Sequence, residues 1–147
     1  MPTDETHRQG IPLTTIARDV LKTAFLKRLS EVAVEHPAGH QGKLAARFIL
    51  RSNSGEGIEL MFEKGPASHP NLWMHQKYAK AVTSSSIEHR ESPAHALFAV
   101  ENEKGKKIYG RHTALLPMRQ LADADLVCFK LAAVTELEMV IDTLRQQ

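Results

Sequence analysis

The hydrophobic positions of this chain switch from helical spacing to alternation and back, and the switches divide it into elements. Between residues 15 and 35, Leu21, Phe25, Leu29 and Val32 recur at spacings of four, four and three, which sets them on one helical stripe. Asp19, Thr23 and Lys27 supply the wet side. Ala17, Val20 and Ala24 widen the apolar sector enough for this helix to touch structure on two sides or to meet a second chain. His36-Pro37 ends it, because the residue before a proline is pushed out of the helical region.

Alternation then takes over. Segments 44–52 and 58–63 flank Asn53-Ser54-Gly55-Glu56-Gly57, whose composition suits a five-residue hairpin loop. Closing Ser52 against Ile58 sets Leu50 opposite Leu60 and Phe48 opposite Phe62 on a core face. The same register puts Arg51 opposite Glu59 and Arg47 opposite Glu63 on the other face, where opposite charges are favourable neighbours.

The rest reads as short pieces. Strands are expected at 71–75 around Trp73, at 87–90 and at 96–101, with a helical turn over 76–82. Asn102-Glu103-Lys104-Gly105 turns the chain into a strand over 107–111, and Pro117 opens a short helix containing Met118 and Leu121. Segment 126–131 is a strand with Leu126, Cys128 and Lys130 on one side. In the last helix Thr135 and Glu138 form a capping box, and Leu137, Val140, Ile141 and Leu144 form the buried stripe. This order predicts an α+β fold, an antiparallel or mixed sheet with N-terminal and C-terminal helices packed on one face. Residues 1–13 read as a flexible tail and 14–147 as a single domain.

Composition narrows the class. With 147 residues, 42% hydrophobic and 24% charged, the chain can fill a core, which excludes a disordered segment. No apolar run approaches the roughly 20 residues of a membrane helix, so no membrane partner is expected. The N-terminus lacks the basic-then-apolar order of an export signal, and the lone Cys128 cannot form an internal disulfide; both point to a cytoplasmic location. A net charge of +2, mixed along the chain, neither demands nor excludes nucleic acid.

No complete catalytic set is legible. Among the eight histidines, His36 and His40 are separated by Pro37 and Gly39, and His69 and His75 have no zinc-spaced partner, so no metal site is expected. Glu59, Glu63 and Lys64 lack the spacing of a metal-dependent nuclease. Cys128 falls in a buried strand, and the chain holds no nucleophile elbow, phosphate-binding loop or dinucleotide fingerprint, so no cofactor is implied. In Glu88-His89-Arg90-Glu91 a strand would turn His89 away from Glu88 and Arg90, which weakens it as a general base.

The densest chemistry is Tyr109-Gly110-Arg111-His112-Thr113, preceded by Lys104, Lys106 and Lys107. Arginine offers a planar fork for phosphate, and glycine lets a ligand approach the backbone. The plainer reading is a solvated hairpin tip. Trp73, near His69, His75 and Tyr78, is either a stacking platform for bases or a core anchor. The expectation is therefore a non-enzymatic binding module that engages nucleic acid or a protein partner through a basic loop surface. Arg111, His112, Tyr109, Lys107 and Trp73 are its ligand-binding residues. The alternative is a small phosphoesterase or nuclease-like hydrolase using His112 or His89 with Arg111, and a homo-oligomer through the first helix is a third reading.

Overall fold

In a computed structural model describing residues 15–40 and 42–147, the main strands are β1 (Val34–Glu35), β2 (Ala45–Arg51), β3 (Gly57–Glu63), β4 (Asn71–His75), β5 (His89–Ser92) and β8 (Leu126–Lys130). They form one antiparallel sheet in the order β1-β2-β3-β4-β8-β5. Between β5 and β8 the chain leaves the sheet and forms a separate two-stranded hairpin of β6 (Val100–Glu101) with β7 (Lys107–Ile108). Helices α1 (Thr15–Val32), α2 (Gln76–Thr83) and α3 (Val134–Arg145) complete an α+β fold. The tail expected over residues 1–13 lies outside the described residues.

These three helices pack on one face of the sheet. Phe25 and Leu29 of α1, Tyr78, Ala79 and Val82 of α2, and Leu137, Val140, Ile141 and Leu144 of α3 meet Phe48, Leu50, Ile58, Leu60 and Phe62 in one buried cluster. Phe25 meets Phe62 edge-on, with ring centroids 6.0 Å apart. Arg28 of α1 donates to Glu138 of α3 at 2.6 and 3.0 Å and ties the terminal helices together. The opposite face carries a smaller cluster, in which Ala45, Met61, Trp73, Leu126 and Cys128 of the sheet meet Ala114, Leu115, Met118 and Leu121. The second group belongs to the strap, residues 109–124, which crosses this face without joining the sheet.

The first hairpin has the expected faces but another register. Phe48 pairs with Leu60, Leu50 with Ile58 and Ala46 with Phe62, a shift of two residues. The turn is the reason. Ser52 N–H donates to the Glu56 carbonyl at 2.8 Å, so Ser52 and Glu56 close a tighter loop in which Gly55 takes φ 92°. Because side chains alternate with period two, a shift of two keeps every core residue inward and changes only its partner. Arg47 therefore faces Met61, and Arg51 faces Gly57, and the direct arginine–glutamate pairs do not form.

Other boundaries also differ: the strand expected over 96–101 shortens to Val100–Glu101 behind a 3₁₀ turn at Ala94–Ala96, that over 87–90 lies at His89–Ser92, and that over 107–111 ends at Ile108. Helix α1 stops at Val32 because the chain turns back to lay β1 along β2, where His36 N–H donates to the Arg47 carbonyl at 2.9 Å. Helix α3 starts at Val134 with Ala133 at its cap position. The Glu136 carboxylate takes the Ala132 N–H at 2.7 Å, so no Thr135–Glu138 box forms. Instead of a helix opened by Pro117, the strap has a 3₁₀ turn over Thr113–Leu115 followed by turns, which still bury Met118 and Leu121.

Candidate functional site

The residues singled out by their chemistry fall on the strap, on the small hairpin and under the strap. Arg111 is buried, and its guanidinium is used up internally. It donates through Nε to Ser92 Oγ at 2.8 Å, through Nη2 to the Ser92 carbonyl, and through Nη1 to the Leu121 and Ala122 carbonyls at 3.2 and 3.3 Å. One side chain thus ties the end of β5 to the end of the strap. Tyr109 adds a second tie, its hydroxyl donating to the Ala122 carbonyl at 2.8 Å; burial raises its pKa, while the neighbouring Arg111 works in the opposite direction. His112 caps the 3₁₀ turn, its Nδ1 accepting the Ala114 N–H at 3.1 Å.

Lys107 lies apart from them. It is exposed on β7, paired across the hairpin with Glu101, and Lys104 and Lys106 are exposed in the adjoining turn. Gly105 takes φ 76° there, while the Asn102 side chain accepts the N–H groups of Lys104 and Lys106 at 2.9 Å each. Neither β6 nor β7 contributes a residue to either buried cluster. Around this arm the exposed side chains include Phe98 and Val100, each half exposed, together with Ile108. Gly110 joins the arm to the strap, its N–H donating to the Leu97 carbonyl at 2.8 Å. A Cβ at that position would stand 2.9 Å from the same oxygen.

Trp73 is 3% exposed, with its indole N–H donating to Glu63 Oε2 at 2.7 Å. Asn71 donates to the same oxygen at 3.2 Å. Glu59 is likewise occupied, meeting His36 Nε2 at 2.7 Å and accepting the Gln120 N–H at 2.9 Å. The charged row on this face is thus matched, but to the strap and neighbouring side chains instead of to Arg47 and Arg51. Arg47 donates to the carbonyls of Ala114 at 2.7 Å and Gly39 at 2.9 Å.

His89 and Arg111 do not converge. His89 stands at the start of β5 with its ring 5.6 Å from that of Phe129, which belongs to the helix-covered face, whereas Arg111 reaches the other end of that strand. Cys128 lies under the strap, where burial pushes its thiol up to about 12, so it stays protonated at neutral pH. Among the described residues no three His, Cys, Asp or Glu side chains gather as metal ligands, and no helix is long and apolar enough to cross a membrane.

A feature without a sequence motif lies where the strap leaves the sheet uncovered. Trp73, Cys128 and Arg90 occupy one transverse row across β4, β8 and β5, and Asn71 and Lys130 pair in the next row. A concavity of about 180 Å³ opens there, lined by His69, Asn71, Glu88, His89, Arg90, Cys128 and Lys130. Alternation alone puts Lys130 on the side of Cys128, but only strand register brings it to Arg90. No protein family, curated protein or solved structure matches this chain.

Proposed function

We propose that the protein is a non-enzymatic binding module whose β6–β7 arm engages a protein partner. One observation carries the reading: Val100 and Ile108 are exposed beside three exposed lysines on an element that adds nothing to either core, with Phe98 exposed at its base. Apolar surface held in water without a packing role is characteristic of recognition surfaces. The lysines give the rim a positive edge offset by Glu101 and Glu103, which suits a partner with an apolar centre and acidic margins better than a polyphosphate. Arg111, Tyr109 and His112 serve this reading as the supports that hold the arm, and Lys107 as part of its surface.

Nucleic acid is the second reading, favoured by Lys104, Lys106 and Lys107 at the tip of a two-stranded ribbon. Two experiments separate them. Quantitative affinity capture with the wild type and with Phe98→Glu/Ile108→Glu, using Lys27→Glu as a control on α1, should enrich a defined set of proteins that the arm variant alone loses. Fluorescence anisotropy with labelled DNA and RNA at two salt concentrations should show no strong binding; salt-sensitive binding lost on Lys104→Glu/Lys106→Glu/Lys107→Glu would replace the protein reading with the nucleic-acid one. Identical capture by wild type and arm variant, together with no nucleic-acid binding, would remove both.

A further inference from the structure

The uncovered end of the sheet differs from the arm in that its polar groups converge. Arg90 lies over the Trp73 ring, its guanidinium carbon 4.9 Å from the ring centroid. That contact positions the fork without using any N–H, and no acceptor among the described residues meets it. Lys130 of β8, paired with Asn71 of β4, has among the described residues a long 3.8 Å contact with Glu88, whose side chain is 72% exposed. His69, at the mouth of the β3–β4 connection, has its Nδ1 shielded from solvent and without a hydrogen-bond partner.

The field at this end is positive. Burial and then the charges of Lys130 and Arg18 hold His69 below the usual imidazole range, with Lys22 adding to the effect and Glu88 opposing it. The floor is preorganised as well, since Trp73 is fixed by its bond to Glu63, and Asn71 holds the same carboxylate. Glu63 is thereby turned to its own donors, and Glu88 is the acidic side chain that lines the concavity. It occupies the place of an anion, attached by a loose contact that a better-matched anion can displace.

We infer that the concavity bounded by Arg90, Lys130, His69 and Asn71 is a binding site for a small phosphoryl group. Arg90 supplies the planar fork to two oxygens, Lys130 supplies a point charge to a third, and Glu88 swings to solvent as the group enters. A tetrahedral group with three free oxygens uses donors arriving from both β5 and β8, whereas a planar carboxylate satisfies the fork and leaves the lysine to Glu88. The volume of about 180 Å³ admits a phosphate with a small substituent. The site is separate from the arm and stands or falls apart from it.

The test is an NMR titration with inorganic phosphate, with sodium chloride at matched ionic strength and sodium acetate as the other arms. Phosphate should shift the Arg90 Nε–H and the amides of residues 69–71, 88–90 and 130, saturating with half-effect near ~1 mM. Arg90→Gln and Lys130→Met should each weaken this by about 10-fold, a loss of the size expected for one charge-assisted contact. Glu88→Gln should tighten it by about threefold, because the competing carboxylate is gone. Arg90 is exposed on an edge strand and Lys130 is partly exposed at a strand end, so unchanged spectra of α1 and α3 will establish that both variants fold. Shifts that never saturate, that centre on Lys104, Lys106 and Lys107, or that acetate reproduces at equal concentration would overturn the assignment.

Discussion

The two faces of the sheet are built by opposite means. One is sealed by three helices whose apolar stripes meet Phe48, Leu50, Leu60 and Phe62. The other is closed by a strap whose backbone is caught by side chains: Arg111 holds Ser92, Leu121 and Ala122, Arg47 holds Ala114, and Glu59 holds Gln120. Regular elements satisfy their own backbone groups and need only apolar contact, whereas an irregular segment must find partners for every buried N–H and C=O. The contrast teaches that the polar residues of the second face are largely scaffolding for the strap. Arg90, stacked on Trp73, and Lys130, in a loose contact with Glu88, are not drawn into that scaffolding.

Removing contact from the sealed face should have the largest effect. Phe62→Ala opens a cavity beneath Phe25 and should cost about 3–5 kcal/mol in denaturant unfolding, with amide exchange rising throughout the chain. Arg111→Met should cost about 2–3 kcal/mol, because several carbonyls lose their donor at once, and exchange should rise in residues 109–124 and β5 while α3 stays protected. Arg111→Lys should recover little, since an ammonium cannot span the same carbonyls. Equal exchange in strap and helices after Arg111→Met would erase the distinction between the faces. Gly110→Ala should cost about 1–2 kcal/mol, because its new Cβ must push the Leu97 carbonyl away, and the change should displace the arm resonances most.

The smallest effect is pH-dependent. Burial first, then the Lys130 charge for His69 and the Lys77 charge for His75, lower both imidazoles from 6.5 in the folded state. On acidification the unfolded chain binds these protons first, so stability present above pH 6.5 falls as pH drops through 6.5 and is lost once the folded-state values are passed. Denaturant midpoints at about pH 7.5 and about pH 5.5 should therefore differ less in His69→Gln/His75→Asn than in the wild type. Asn at 75 retains the cap that His75 Nδ1 provides to the Lys77 N–H at 3.0 Å.

Legibility in the sequence follows the same division. Helical stripes and strand alternation are local signals, and they suffice to put Phe25, Leu29, Phe62, Leu137 and Ile141 in the core, where all five are buried. Register is less local: Arg47 opposite Glu63 is a favourable pairing by charge, but the Ser52–Glu56 closure decides which residues face each other. Arg111 is conspicuous for its charge, yet most of its acceptors are backbone carbonyls, which no side-chain pattern reveals. Lys130, Asn71 and Arg90 come from three strands separated by long connections, so their meeting is a property of topology and leaves no motif.

Cys128 lies on the floor that the strap covers, with its thiol held up to about 12. Cys128 also lines the concavity but is 2% exposed, so alkylation by a small electrophile at neutral pH must wait for a local opening around it, and the labelling rate becomes a stopwatch for that motion. The chain carries its own reporter, and phosphate seated beside the sulfur should slow the clock.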